Sequence, residues 1–135
     1  MVRAHWSPDL LLGEPVMDTA HRALYDTLGK LTFVPATDFA AAYHACVAAL
    51  ERDFREEEEA MERMRYAALR GHREQHARAL AGLHHAAAAL AEGDPQPAHH
   101  AVDLLAEWLQ LHITTMDRAL VMALRRAQGV TAQPE

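Results

Sequence analysis

Asp53 and Glu57 stand four residues apart, as do His72 and His76. That spacing turns about 40° around an α-helix, so each pair projects from one face of its helix. A carboxylate pair on one helix and an imidazole pair on another can hold a metal ion, or pass protons between them. What decides is whether these faces look outward, where charge is cheap, or inward, where it is not.

The inward stripes answer this. The segment "ERDFREEEEAMERM", residues 51–64, is rich in acids, yet Val47, Leu50, Phe54, Met61 and Met64 recur at alternating steps of three and four, and Glu57 falls on the same stripe. Asp53 flanks it. The first stripe reads Met17, His21, Leu24, Leu28, Leu31. The third reads Leu69, His72, His76, Leu80, Leu83, Ala87, Leu90. The fourth reads Leu105, Trp108, Leu109, His112, Met116, Leu120. Every stripe is broken by an imidazole or a carboxylate, and antiparallel packing brings the breaks together. One inward histidine is ordinarily a hydrogen-bonded core residue. Four of them accompanied by acids are not, because unpaired buried charge costs many kcal/mol. Direct coordination offsets that cost. Imidazole and carboxylate without thiolate suit iron, manganese or zinc, and the donors are too many for a single four-coordinate zinc. Two metals fit better, with Glu57 facing inward to bridge them.

One interval resists this arithmetic. His112 and Asp117 are five residues apart, about 140° on an ideal helix. Only a local π-like widening, or approach from the edge of the stripe, lets both reach one centre. The remaining acids of the run, Glu56, Glu58, Glu59 and Glu62, read as solvated partners of nearby arginines. His5, His44, His84, His85, His99 and His100 read as surface or outer supporting residues.

Four helices are needed to position these groups. The first is expected from about Asp18 to Phe33, closed by Pro35. The second, capped by Thr37 or Asp38, continues to about Arg65. After the tight "YAALRG" connection a third runs from about Leu69 to Ala91. "EGDPQP" breaks the chain, and a fourth runs from about Ala98 to Ala127, with Arg125 and Arg126 before Gly129 suiting its C-terminus. Short connectors predict an all-α, antiparallel up-down-up-down four-helix bundle. Residues 1–17 form an N-terminal arm, 18–128 the bundle, and 129–135 a frayed tail.

Bulk properties agree. The chain has 135 residues, the size of a single domain with one core. Its formal net charge of −6 with dispersed basic residues argues against nucleic-acid binding. Cys46 is the only cysteine, which excludes an internal disulfide and suits a reducing compartment; it lies on an apolar side and reads as a small buried hydrophobe. No leader-like segment and no membrane-length apolar run is found, so the expected location is the cytoplasm.

The segments "MDTAHRALYDTL", "DFREEEEAM", "YAALRGHREQH" and "WLQLHITTMD" resemble the hemerythrin family in its bacteriohemerythrin branch, in the expected order over most of residues 17–117. The family signature is H, then HxxxE, HxxxH and HxxxxD. The resemblance implies a pair of oxygen-bridged iron ions: His72, His76 and His112 on one, His21 on the other, Glu57 and Asp117 bridging both, and Phe54, Trp108 and Leu109 lining an oxygen pocket. This chain departs from the pattern at Asp53, which stands where the first histidine of HxxxE belongs. With Asp53 as a ligand the set becomes four histidines and three carboxylates.

The expected function is therefore dioxygen binding at a non-heme di-iron centre, for storage, delivery or sensing. The alternative is a di-iron oxidase, oxygenase or peroxidase acting on a small-molecule substrate or reductant, favoured by the extra carboxylate. Metal buffering and a purely structural bundle form a third class. Against a ferritin-like site, no glutamate here has a histidine three residues later.

Overall fold

The computed structural model describes residues 6–129; His5, the start of the arm and residues 130–135 of the tail lie outside the described residues. A short 3₁₀ turn, Pro8–Leu10, precedes helices α1 (Pro15–Leu31), α2 (Ala36–Arg63), α3 (Leu69–Ala91) and α4 (Gln96–His112). A π-helical turn, Ile113–Asp117, then carries α4 directly into α5 (Arg118–Ala127), so α4, the π turn and α5 make the fourth rod. The fold is an all-α four-helix bundle. Among the described residues, no helix is long and apolar enough to cross a membrane.

Helix α1 starts at Pro15, before the expected Asp18. Pro15 occupies the first turn, where its missing N–H costs nothing, and Glu14 caps the helix by accepting from Met17 N at 2.9 Å. Asp18 is thereby left to hold the preceding segment, its carboxylate accepting from Leu12 N and Gly13 N at 2.8 and 3.1 Å. From α5, Arg125 donates to the carbonyls of Leu12 and Gly13. Gly13 has φ +78°, and a β-carbon there would meet the Arg125 guanidinium, so glycine alone fits this clasp. Helix α2 begins at Ala36 with Pro35 at its cap and no side-chain cap; neither Thr37 nor Asp38 fills that role.

Connections of a few residues (32–35, 64–68 and 92–95) force neighbouring helices to run antiparallel. Successive helices pack on each other, and α1 closes the ring against α4. Leu28, Leu50, Met61, Leu109 and Ile113 are fully buried at its centre. Tyr43 is buried too, and its hydroxyl donates to the Leu83 carbonyl at 2.8 Å, tying α2 to α3. Cys46 is buried in this core, and burial pushes its thiol up to about 11.

Candidate metal centre

The π turn is built locally by two adjacent threonines. Thr114 Oγ1 donates to the Gln110 carbonyl at 2.9 Å and Thr115 Oγ1 to the Leu111 carbonyl at 2.7 Å. Such back-bonding offers carbonyls an alternative to the α ladder. Arg118 N then donates to Ile113 O, five residues back. The widened turn returns Asp117 to the face of His112, with Asp117 Oδ1 3.2 Å from His112 Nε2. The awkward interval is resolved by the widening, not by approach from the edge.

Helix α2 contributes Glu57, α3 contributes His72 and His76, and the end of α4 with the π turn contributes His112 and Asp117. One donor atom from each lies within 4.8 Å of all the others. His72, His76, His112 and Asp117 are at most 2% exposed. Glu57 Oε1 lies 3.0 Å from His72 Nε2 and 3.2 Å from His76 Nε2. Asp117 Oδ1 lies 3.0 Å from His72 Nε2. Each carboxylate turns its second oxygen the other way: Asp117 Oδ2 is 3.1 Å from His21 Nε2 and Glu57 Oε2 is 4.0 Å from it. Thus both carboxylates span from a three-histidine side to a side holding His21.

Not all of these short distances have hydrogen-bonding geometry. His72 Nε2, Glu57 Oε1 and Asp117 Oδ1 are buried with no partner in hydrogen-bonding geometry. His76 Nε2 and His112 Nε2 face each other at 3.2 Å. Buried polar atoms are ordinarily satisfied, so orphaned donors converging on one point fit a cation. Without a metal, protons supply part of that charge. Desolvation pulls the His72 imidazole down, but Asp117 and Glu57 outweigh it and push it up to about 9. His21 is raised in the same way, burial being overcome chiefly by Asp117. Burial pushes the Asp117 carboxyl up, yet His112, His21 and His72 hold it well below the usual carboxylate range.

Glu58, expected in solvent, belongs to the site's support: its Oε2 accepts from His76 Nδ1 at 2.8 Å, and its Oε1 lies 3.5 Å from Arg73 Nε. Accepting that proton leaves the Nε2 lone pair of His76 facing the cluster. Phe54 stacks on His76 with centroids 3.8 Å apart, Trp108 stacks on His112 at 4.4 Å, and Leu109, next to Trp108 in sequence, is buried. Asp53 shares the face of Glu57 but is only half-buried, and no hydrogen bond or ion pair joins its carboxylate to the cluster. Desolvation raises its carboxyl, Arg52 pulls it back, and His21 is close enough to add to that pull.

Comparison with known proteins decides the lineage. The family model described as the hemerythrin HHE cation binding domain matches residues 13–124. The chain belongs to the hemerythrin family. Similar to it is a bacteriohemerythrin of Ralstonia nicotianae (strain ATCC BAA-1114 / GMI1000), 32% identical over 130 residues that cover 96% of this chain and 94% of the relative. In this member of the family the histidine and carboxylate donors converge as a non-heme metal centre requires. Among the described residues no other histidine joins this cluster: His84 pairs with Glu51 at 2.8 Å at the surface, and His99 stacks on Phe39.

Proposed function

We propose that this chain binds dioxygen at a non-heme di-iron centre, as a store, carrier or sensor. One observation carries the reading: Glu57 and Asp117 each direct one oxygen to the three-histidine side and the other toward His21, the arrangement two metals need. Family membership and a relative bearing the name bacteriohemerythrin support it.

In this reading His72, His76 and His112 would hold one iron, His21 and Asp53 the second, and the carboxylates of Glu57 and Asp117 would serve both. When bound, a ferrous pair supplies the electrons that dioxygen draws on. The chain does the rest. Glu58 fixes the His76 tautomer. Phe54, Trp108 and Leu109 cover the three-histidine side with apolar surface and keep water from it, which strengthens every charge interaction inside.

Asp53 favours the second reading, an oxidase acting on a small molecule, because an anionic ligand stabilises the ferric state. One experiment separates the two. The anaerobically reconstituted ferrous protein is exposed to oxygen, which is then removed. Recovery of the ferrous spectrum without added reductant is the expected result for a binder; one-way oxidation overturns that reading in favour of the oxidase. Failure to take up ferrous iron at all sinks both.

A further inference from the structure

A groove enclosing about 340 Å³ runs between α3 and α4, within the size range of small-molecule sites. Small residues open it: Ala79, Gly82 and Ala101 line it where larger side chains would close the seam between the helices. A β-carbon added at Gly82 meets nothing within 4 Å. Leu83, Leu105 and Trp108 supply apolar walls. Trp108 is shared, since its ring also stacks on His112, so the groove lies one ring away from the candidate centre.

Of the lining residues, Arg78 alone carries a permanent charge. Arg78, His85 and His100 line the groove, and no carboxylate does. All three are exposed, and among the described residues no hydrogen bond or ion pair engages them. This occurs on a chain of formal charge −6. Screening limits that overall repulsion beyond about 10 Å in ordinary salt, so an anion entering the groove meets chiefly these three residues. Arg78 and His85 stand seven residues apart on α3, about 10 Å along the axis, a span matching a short acyl chain.

We propose that the groove binds a free amphipathic carboxylate, with its apolar body on Leu83, Leu105 and Trp108 and its anionic head at Arg78. The site goes beyond the di-iron reading and does not rest on it. The alternative occupant is a second copy of this chain, docked on the exposed α4 surface around Leu104 and Leu111.

The test uses the purified full chain carrying Trp6→Phe, so that Trp108 is its one indole, titrated with octanoate and with octan-1-ol. Octanoate should change the Trp108 emission saturably, and octan-1-ol should bind about tenfold more weakly or less, the scale of a lost charge-assisted hydrogen bond. Arg78→Gln should weaken octanoate to a similar degree. Gly82→Leu fills the groove and should abolish the response while keeping or raising the melting temperature, because glycine in a helix interior is destabilising. Equal binding of the alcohol, or octanoate binding unchanged in Gly82→Leu, overturns the proposal. So does a silent octanoate titration of a dimer that Gly82→Leu disperses in light scattering.

Discussion

Glu58 accepts the Nδ1 proton of His76 at 2.8 Å, and this contact determines which imidazole nitrogen looks into the cluster. Because a carboxylate only accepts, Nδ1 carries the hydrogen and Nε2 presents its lone pair to Glu57 and His112. Arg73 holds the other Glu58 oxygen from the same side as His76. Glu58→Gln keeps the shape but can donate as well as accept, so the tautomer is no longer imposed. Metal affinity should fall about 10- to 100-fold, as for other supporting partners of ligand histidines, with little change in the melting temperature of the metal-free protein. A competition titration against a coloured chelator measures this; unchanged affinity removes Glu58 from the site.

The metal-free protein should lose stability as pH rises. His72 goes from 6.5 up to about 9 on folding, so its contribution is complete below about 6.5 and disappears as pH climbs through about 9. His21 shifts in the same direction. Asp117 behaves oppositely: held below its usual 3.8, it stabilises above that value, and its contribution is lost only as acid reaches its lowered folded pKa. Melting temperatures of chelator-treated protein should therefore fall from pH 6.5 to pH 9. Metal loading should flatten that profile and release protons near neutral pH, since bound imidazoles must be deprotonated. A metal-free melting temperature that climbs across this range contradicts the assigned charge balance.

Much of this arrangement is legible in the residues alone. The stripes around His21, Glu57, His72 and His112 expose the buried cluster, because helical periodicity is a local property that survives tertiary packing. Helix α3 has the expected bounds, since Gly93 lies just past its end and takes φ +92°. The start of α1 escapes the pattern because Pro15 looks like part of the arm, although proline suits a first turn. Glu58 escapes it for a different reason. It sits about 100° around α2 from Glu57, among surface acids, and only the approach of α3 gives it a histidine. The π turn has a readable signal, the adjacent Thr114 and Thr115, but side-chain back-bonding is too common in ordinary helices to distinguish it.

Helix α2 ends in a strained cap. Tyr66 N donates to Met61 O and Arg65 N to Glu62 O, the two bonds of a Schellman motif. Gly93 fills the corresponding position after α3, but here it is Arg65, at φ +54°. A left-handed conformation costs a residue with a β-carbon roughly 1–2 kcal/mol. Arg65 is exposed, and among the described residues its side chain has no hydrogen bond or ion pair to lose. Arg65→Gly should raise stability by about 1 kcal/mol after the entropy of glycine is deducted, shifting the melting temperature a few degrees upward. Unchanged or lower stability means that the side chain has a role the cap geometry does not reveal.

Asp53 is where the two functional readings part. Its carboxylate touches none of the clustered donors, yet it lies on the Glu57 face with its carboxyl raised by desolvation and near enough to His21 to feel its charge. If it serves the second metal, Asp53→Ala should leave the three-histidine side loaded, remove the second metal, and leave the metal-free fold as stable as the parent, since a partly desolvated carboxylate has gone. Asp53→His should retain both metals, exchange an anionic donor for a neutral one, and slow the one-way oxidation of the ferrous protein. Elemental analysis and stopped-flow absorbance read these effects separately. Should Asp53→Ala keep its full metal content and the parent's oxidation rate, then Asp53 is a bystander and the charge argument for an oxidase loses its basis. The bridging role proposed for Glu57 and Asp117 would be untouched by that result, because it rests on the oxygens they turn to either side.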